Sequence, residues 1–218
     1  MSLKFPNLLF LALPIRVNEN QQKPFRKFLH SLPEGPLKEA FQGPRVCHLT
    51  IGMIPVKCED DLNKVLQFME DKRDVILKQY PQSPITISLR GTDYFGSEEQ
   101  HSRVLFAVPV ESEISTGNLK PFCEFVRQLF VDGGIIRDTS HELNLHCTLL
   151  NVRHMRKFGY KEKSFDATQL LRRFSLDSWT WTSNTTLDEL SIMKTGAIGP
   201  KHDMFYMEIA TVLLHPKD

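Results

Sequence analysis

The sequence predicts an α+β protein made of two related lobes. Three observations point there: three landmarks recur in one order, strand-like apolar runs alternate with amphipathic stretches, and 218 residues at 41% hydrophobic content can build a sizeable core. The first copy of the landmarks reads Phe10-Leu11-Ala12-Leu13-Pro14-Ile15, then Lys23-Pro24-Phe25-Arg26-Lys27-Phe28, then His48-Leu49-Thr50-Ile51. The second reads Leu105-Phe106-Ala107-Val108-Pro109-Val110, then Lys120-Pro121-Phe122-Cys123-Glu124-Phe125, then His146-Cys147-Thr148-Leu149. Chance yields one such coincidence readily, but not three at nearly equal separations.

Each landmark has a structural meaning. The apolar runs read as buried strands, with Pro at the end where no ladder donor is required. Lys-Pro-Phe opens a helix, because Pro is tolerated in the first turn. Phe25, Phe28, Leu29 and Leu32 then form one apolar face, and Phe122, Phe125, Val126 and Leu129 repeat it. Val46–Ile54 and Leu143–Val152 are the next strands. Asp60–Tyr80 is a long helix closed by Pro81 and Pro84, followed by an alternating strand over Ile85–Phe95. In the second half a shorter helix starts near Ser164–Asp166, where Ser and Asp suit an N-cap. Strands at Leu187–Thr195 and Met204–Leu214 end the chain. Each half is thus roughly β-α-β-α-β, with an additional C-terminal strand. The expected organisation is a single bilobal domain over 1–218, with lobe-forming repeats at roughly 6–95 and 103–214. Ser31–Arg45, Gly96–Arg103, Asn151–Lys163 and Gly196–Asp203 read as loops, the third of them basic.

The net charge of +1 gives no global attraction to nucleic acid, so a polyanion must be held by a local patch. Cys47, Cys58, Cys123 and Cys147 show neither C-x-x-C spacing nor a metal-ligand rhythm, which suits reduced thiols in the cytoplasm or nucleus. Leu8–Ile15 is too short to span a membrane and is broken by Pro14. A soluble intracellular monomer without membrane partners is expected.

A lone H-x-T is weak evidence; two on the same landmark of a repeat are not. Residues i and i+2 of a strand share a face, so His48 projects with Thr50, and His146 with Thr148. Lobes related by an approximate twofold can set the two pairs facing across a cleft. One imidazole there can take a proton from an attacking hydroxyl or water while the other protonates the leaving oxygen. Two threonine hydroxyls can donate to the non-bridging phosphoryl oxygens. The sequence is symmetric about which histidine does which, and the scheme calls for no metal or cofactor. Catalytic candidates are therefore His48, Thr50, His146 and Thr148.

The tetrads His48-Leu49-Thr50-Ile51 and His146-Cys147-Thr148-Leu149 match the H-x-[ST]-x signature of the 2H phosphoesterase superfamily. Within it, Cys47–Pro55, Leu145–Asn151 and Lys163–Leu171 resemble the A-kinase-anchoring-protein-type branch, and most of all the C-terminal phosphoesterase domain of signal-cointegrator complex subunits. The resemblance covers Pro6 to about Leu213. It implies a bilobal LigT-like fold with antiparallel sheets lining a central cleft and helices outside. It also implies 2′,3′-cyclic, 2′,5′-linked or RNA-end phosphodiester substrates. The cointegrator subunits carry a KH-type RNA-binding module before this domain, whereas here the first strand begins almost at Met1, so partner docking through that module is not carried over; no regulatory-subunit-binding helices are seen.

Further candidates contact substrate rather than reacting atoms. Tyr94 and Phe95 end a strand before Gly96, where an aromatic can stack on a nucleobase or close the edge of the core. Phe95 also resembles the aromatic of the branch's Gly-x-x-x-Phe-Gly stretch. Arg153, Arg156 and Lys157, with Lys161 and Lys163, follow the second motif and can reach a phosphate tail or simply face solvent. Asn151 shares neither the motif face nor a strong role. His30, His101, His141, His202 and His215 read as surface residues, and Cys147 and Leu49 as packing. The expected activity is a metal-independent RNA or nucleotide phosphodiesterase. Its rival is an RNA- or nucleotide-binding module, a subunit of a larger nucleic-acid-processing complex, that keeps the cleft without turnover.

Overall fold

The computed structural model describes residues 5, 7–137, 141–200 and 203–215. The first repeat supplies β1 (Asn7–Pro14), α1 (Lys23–Ser31), α2 (Pro36–Glu39), β2 (His48–Val56), α3 (Glu59–Asp71), α4 (Arg73–Gln79) and β3 (Thr86–Gly96). The second supplies β4 (Ser102–Glu111), α5 (Leu119–Asp132), β5 (Cys147–Asn151), α6 (Val152–Met155), α7 (Thr168–Arg173), β6 (Thr180–Thr186), β7 (Glu189–Lys194) and β8 (Glu208–Leu213).

Two antiparallel four-stranded sheets result, ordered β2-β1-β7-β8 and β5-β4-β3-β6. The α+β fold with two matching sheets is the one the repeat predicts. Sheet membership, however, does not follow the repeat boundary. The third strand of the first repeat, β3, lies beside β4, and β7 returns to lie beside β1. Each H-x-T strand is consequently the edge strand of its own sheet.

The ladders carry matched irregularities at the motifs. Leu11 pairs with Gly52 and Ala12 with Thr50, which leaves Ile51 bulged out. Leu105 pairs with Leu150 and Phe106 with Thr148, which leaves Leu149 bulged in the same tetrad position. A bulge bends its strand and re-aims neighbouring side chains, and here it follows each threonine. The pairing also corrects the alignment of the first landmark by one residue, since Ala12 and Phe106, not Ala107, stand opposite equivalent threonines. Pro14 ends β1 opposite His48, whereas Pro109 lies inside β4 opposite Leu89. It is accommodated because β5 pairs with β4 only as far as Ala107, leaving that flank without a ladder to serve.

A third bulge lies in β3, where Arg90 pairs with Val108 but Asp93 with Phe106. Gly91 turns the strand at φ +48, its N–H donating to Trp179 O (2.8 Å) and its carbonyl accepting from Trp181 Nε1 (2.6 Å). A Cβ at this position would lie 2.2 Å from Leu176 Cα, so only glycine fits.

One continuous core joins both sheets and the helices. Phe25 and Phe28 of α1 pack on Trp181 of β6 at ring separations of 5.2 and 5.1 Å, and Phe28 also meets Phe174 at 4.9 Å. In α5 the fully buried stripe is Leu119, Phe122, Cys123, Val126 and Phe130, while Phe125 and Leu129 are half-buried at its margin. Phe68–Phe130 and Tyr80–Phe122 contacts, both 5.1 Å, bind α3 and α4 to α5.

Other local expectations shift. The helix expected over 60–80 breaks at Lys72 (φ −97, ψ 0) into α3 and α4. The break sends Tyr80 into the core, where its hydroxyl donates to Leu187 O at 2.7 Å and accepts from Ile85 N–H. The helix expected from Ser164 begins at Thr168, although Asp166 Oδ1 still accepts from Thr168 N–H. Strand β5 starts only at Cys147, and β8 only at Glu208. Strand β6 was not expected at all. Residues 201–202 of the final turn, His202 included, lie outside the described residues. Among the described residues no helix is long and apolar enough to cross a membrane.

Candidate active site

Strand alternation orders the motif side chains. Along β2, Leu49 and Ile51 are buried while His48 and Thr50 are half-buried on the opposite face. In the second motif Cys147 and Leu149 are buried, and His146 and Thr148 lie on the half-buried face. His48 and Thr50 line a cavity together with Thr148 of the facing strand, and Thr50 lines an adjoining cavity together with His146. All four motif residues therefore meet in one cleft. Beneath them lie the buried Cys47 and Cys147 thiols; interaction with Cys147 and burial push the Cys47 thiol well up. The backbone of Gln42 ties the first repeat to the second motif, its N–H donating to Leu149 O at 2.8 Å.

The two imidazoles are held alike. His48 Nδ1 lies 2.7 Å from Val46 O, and His146 Nδ1 lies 2.8 Å from Asn144 O. A carbonyl only accepts, so Nδ1 carries the proton in both rings and Nε2 is the nitrogen left for a ligand. Each ring also sits between two aromatics. His48 has Phe10 at 4.9 Å and Tyr206 edge-on at 5.2 Å. His146 has Phe95 edge-on at 4.8 Å and Phe106 at 5.3 Å. Three of the four come from strands; Tyr206 precedes β8. Phe95 lies between the two register shifts of β3, at Arg90/Asp93 and at Phe95/Gly96.

Burial dominates the electrostatics. It lowers His48 to about 4, against the opposing effect of the Val46 carbonyl, and the nearby His146 lowers it further. Burial likewise lowers His146, opposed by the Asn144 carbonyl. Both rings are neutral at neutral pH in the free protein. Burial raises Tyr206 to about 12, so its hydroxyl keeps its proton beside His48.

The remaining sequence candidates divide. Arg153 lines the cavity that holds His48 and Thr148. Tyr94, with Phe95 and Phe106, lines a further cavity reaching Asn144, behind His146. Lys157 lines a small cavity with His154 and Tyr206, just beyond the motif cleft. Arg156 is exposed on the turn after α6 and lines none of these cavities. Asn151, expected to carry no strong role, caps α6, since its Oδ1 accepts Arg153 N–H at 2.9 Å. His141 is exposed, as expected, yet it also borders the cavity beside His146. Sequence reasoning missed Tyr206, Phe10 and Phe106. The last two carry a signal, as aromatics in the strands that pair with the motifs; Tyr206, far along the chain in an irregular segment, carries none.

Comparison with known proteins agrees with this architecture. The AKAP7 2'5' RNA ligase-like domain family matches residues 9–214. An uncharacterised protein of Schizosaccharomyces pombe is 38% identical over 217 residues, covering 99% of this chain and 100% of that protein. Activating signal cointegrator 1 complex subunit 1 of Mus musculus is 22% identical over 151 residues, covering 62% of this chain but only 42% of that protein. Among solved structures, E. coli LigT complexed with 3'-AMP superposes with a TM-score of 0.58 at 14% identity, over 97% of this chain and 99% of LigT. TT0787 of Thermus thermophilus gives 0.58 at 16% identity, over 95% and 97%. The family match spans both H-x-T strands and the sheets behind them, and the chain belongs to the AKAP7 2'5' RNA ligase-like domain family, within the 2H phosphoesterase superfamily of phosphodiesterase-type proteins.

Proposed function

We propose that the chain cleaves phosphodiesters of RNA or small nucleotides by two-histidine acid–base catalysis. The observation that carries this reading is the convergence of two imidazoles, each fixed at Nδ1 by a carbonyl, with two threonine hydroxyls in one cleft. His48, the more strongly lowered, is neutral at working pH and serves as the base through Nε2. An anionic phosphate between the rings raises both, and His146, with less depression to overcome, takes up the proton and acts as the acid. Thr50 and Thr148 donate to the non-bridging oxygens, where negative charge accumulates. Arg153 holds a flanking phosphate, and Lys157 and Arg156 extend the basic track outward. Phe95 keeps His146 in place, and Tyr94 lies behind it. Four free cysteines suit the nucleus or cytoplasm, and the likeness to a cointegrator subunit supports membership of a larger nucleic-acid-processing complex.

The test is turnover, with EDTA present, of 2′,3′-cyclic nucleotides, 2′,5′-linked oligoadenylate and short single-stranded RNA. Cleavage that survives chelation, has a bell-shaped pH profile and disappears in both His48→Ala and His146→Ala is expected. Ligand binding without cleavage of any of these overturns the catalytic reading in favour of a binding module.

A further inference from the structure

The two halves of the cleft correspond ring for ring. Each imidazole is held at Nδ1 by the carbonyl two residues before it. Each has one ring tilted against it, Phe10 at 4.9 Å from His48 and Phe106 at 5.3 Å from His146. Each also meets one ring edge-on: Tyr206 stands to His48 at 5.2 Å and 87°, as Phe95 stands to His146 at 4.8 Å and 89°. Of these rings Tyr206 alone carries a polar atom. One phenol oxygen, on the His48 side, thus breaks the symmetry of the frame.

That oxygen has nothing in the protein to bond. Tyr80 and Tyr160 each donate to a carbonyl at 2.7 Å, those of Leu187 and Ser164. The Tyr206 hydroxyl finds no such acceptor among the described residues. A half-buried phenol without a protein partner marks a place for water or a ligand. Its ring borders the cavity of about 300 Å³ whose walls also hold His48, Thr50, Thr148 and Arg153.

The segment that delivers Tyr206 is anchored. Phe205 exchanges backbone hydrogen bonds with Ile198, at 2.8 and 2.9 Å. Arg45 donates to Asp203 at 2.9 Å and lies over the Phe205 ring at 5.1 Å. It adjoins Val46, whose carbonyl holds His48 Nδ1. One turn, Pro44–Val46, therefore fixes both the imidazole and the segment bearing the phenol.

We propose that Tyr206 is a further catalytic residue: its hydroxyl donates to a non-bridging oxygen of the scissile phosphate from the His48 side, alongside Thr50 and Thr148. The inference rests on the two-histidine reading above. The phenol keeps its proton at working pH, so it donates a hydrogen bond and transfers nothing. Charge gathering on the phosphoryl oxygens strengthens that bond in the transition state over the bound substrate. His146 has only Phe95 in the equivalent place, so the two sides of the phosphate differ.

Tyr206→Phe removes one oxygen and keeps the ring against His48 and Phe10; Tyr206→Leu removes the ring as well. Kinetics on the diester that the wild type cleaves, with calorimetric binding of AMP and adenosine, test the hydroxyl. Tyr206→Phe should lower kcat by about tenfold or more, with the melting temperature and both limbs of the pH profile unchanged. Tyr206→Leu should be no faster. Tyr206→Phe should also weaken AMP by about tenfold while leaving adenosine, which has no phosphate, unaffected. If Tyr206→Phe matches wild type in kcat and AMP affinity, the inference is overturned and the two-histidine reading stands. Slowing confined to Tyr206→Leu gives the ring a packing role, with the same consequence. No diester cleavage by wild type, with AMP still weakened in Tyr206→Phe, keeps the phenol as a phosphate ligand and removes the catalytic reading. A wild type that neither cleaves a diester nor binds AMP overturns both.

Discussion

Lowering the pH should unfold this protein partly through one side chain. His48 carries its folded-state pKa at about 4 because Phe10, Tyr206 and the surrounding core keep water from the charged form. In the unfolded chain it returns to about 6.5. Between those values the unfolded state binds a proton that the folded state refuses, so stability rises with pH across the window. The contribution is fully present above about pH 6.5 and disappears as pH falls towards 4. At 1.36 kcal/mol per pH unit the whole interval corresponds to about 3 kcal/mol, and to about 2 kcal/mol after allowance for the cleft water that reaches the ring. Urea unfolding of wild type and His48→Gln from pH 4 to 7.5 isolates this contribution, because His146 and the carboxylates titrate in both proteins and cancel in the difference. Wild type should lose about 2–3 kcal/mol more than the variant between pH 7 and 4. Parallel curves would show that His48 titrates normally and that its aromatic cage does not exclude water from the charged ring.

Thr50→Val and Thr148→Val keep side-chain shape but remove a donor, so each should lower kcat on the cleaved diester by about 10²-fold with an unchanged melting temperature. Gly91→Ala combines left-handed strain with a Cβ only 2.2 Å from Leu176 Cα; a loss of about 3–5 kcal/mol is expected in urea titration. Trp181→Phe strips the donor from Gly91 O and leaves a void among Phe25, Phe28 and Phe174, at a cost of about 2–4 kcal/mol by the same measurement.

What the sequence reveals is whatever leaves a local mark. The tetrads, the Lys-Pro-Phe helix openings and the apolar first strands each bias their own few residues, and the structure has all of them. Strand β6 leaves no such mark: Thr-Trp-Thr-Ser-Asn-Thr-Thr carries no run of alternating apolar residues, and in the structure its burial alternation is broken and Asn184 sits at φ +49. It is a strand because Trp181 anchors it to the aromatic cluster and to Gly91. Tyr206 is invisible for a similar reason, since its meaning arises only when a distant segment folds over His48. The repeat also misleads slightly. Aligning its prolines puts Ala12 on Ala107, while the ladders put Ala12 on Phe106, because the residue opposite each threonine depends on where a bulge falls. The exchange of third strands is hidden too, as sequence order alone favours neighbours pairing within a repeat.

That exchange dictates how the molecule must be born. During synthesis β1 emerges first, yet its inner flank stays unpartnered until Glu189–Lys194 leave the ribosome, on the order of ten seconds or more later at ordinary elongation rates. For that interval Leu9–Ala12 is a bare apolar edge, the kind of segment that attracts chaperones or foreign strands. Nicking the chain at 97–101 would give two fragments that each lack an inner strand and hold the other's. Separately they have no complete sheet; mixed, they should clasp together into the intact cleft.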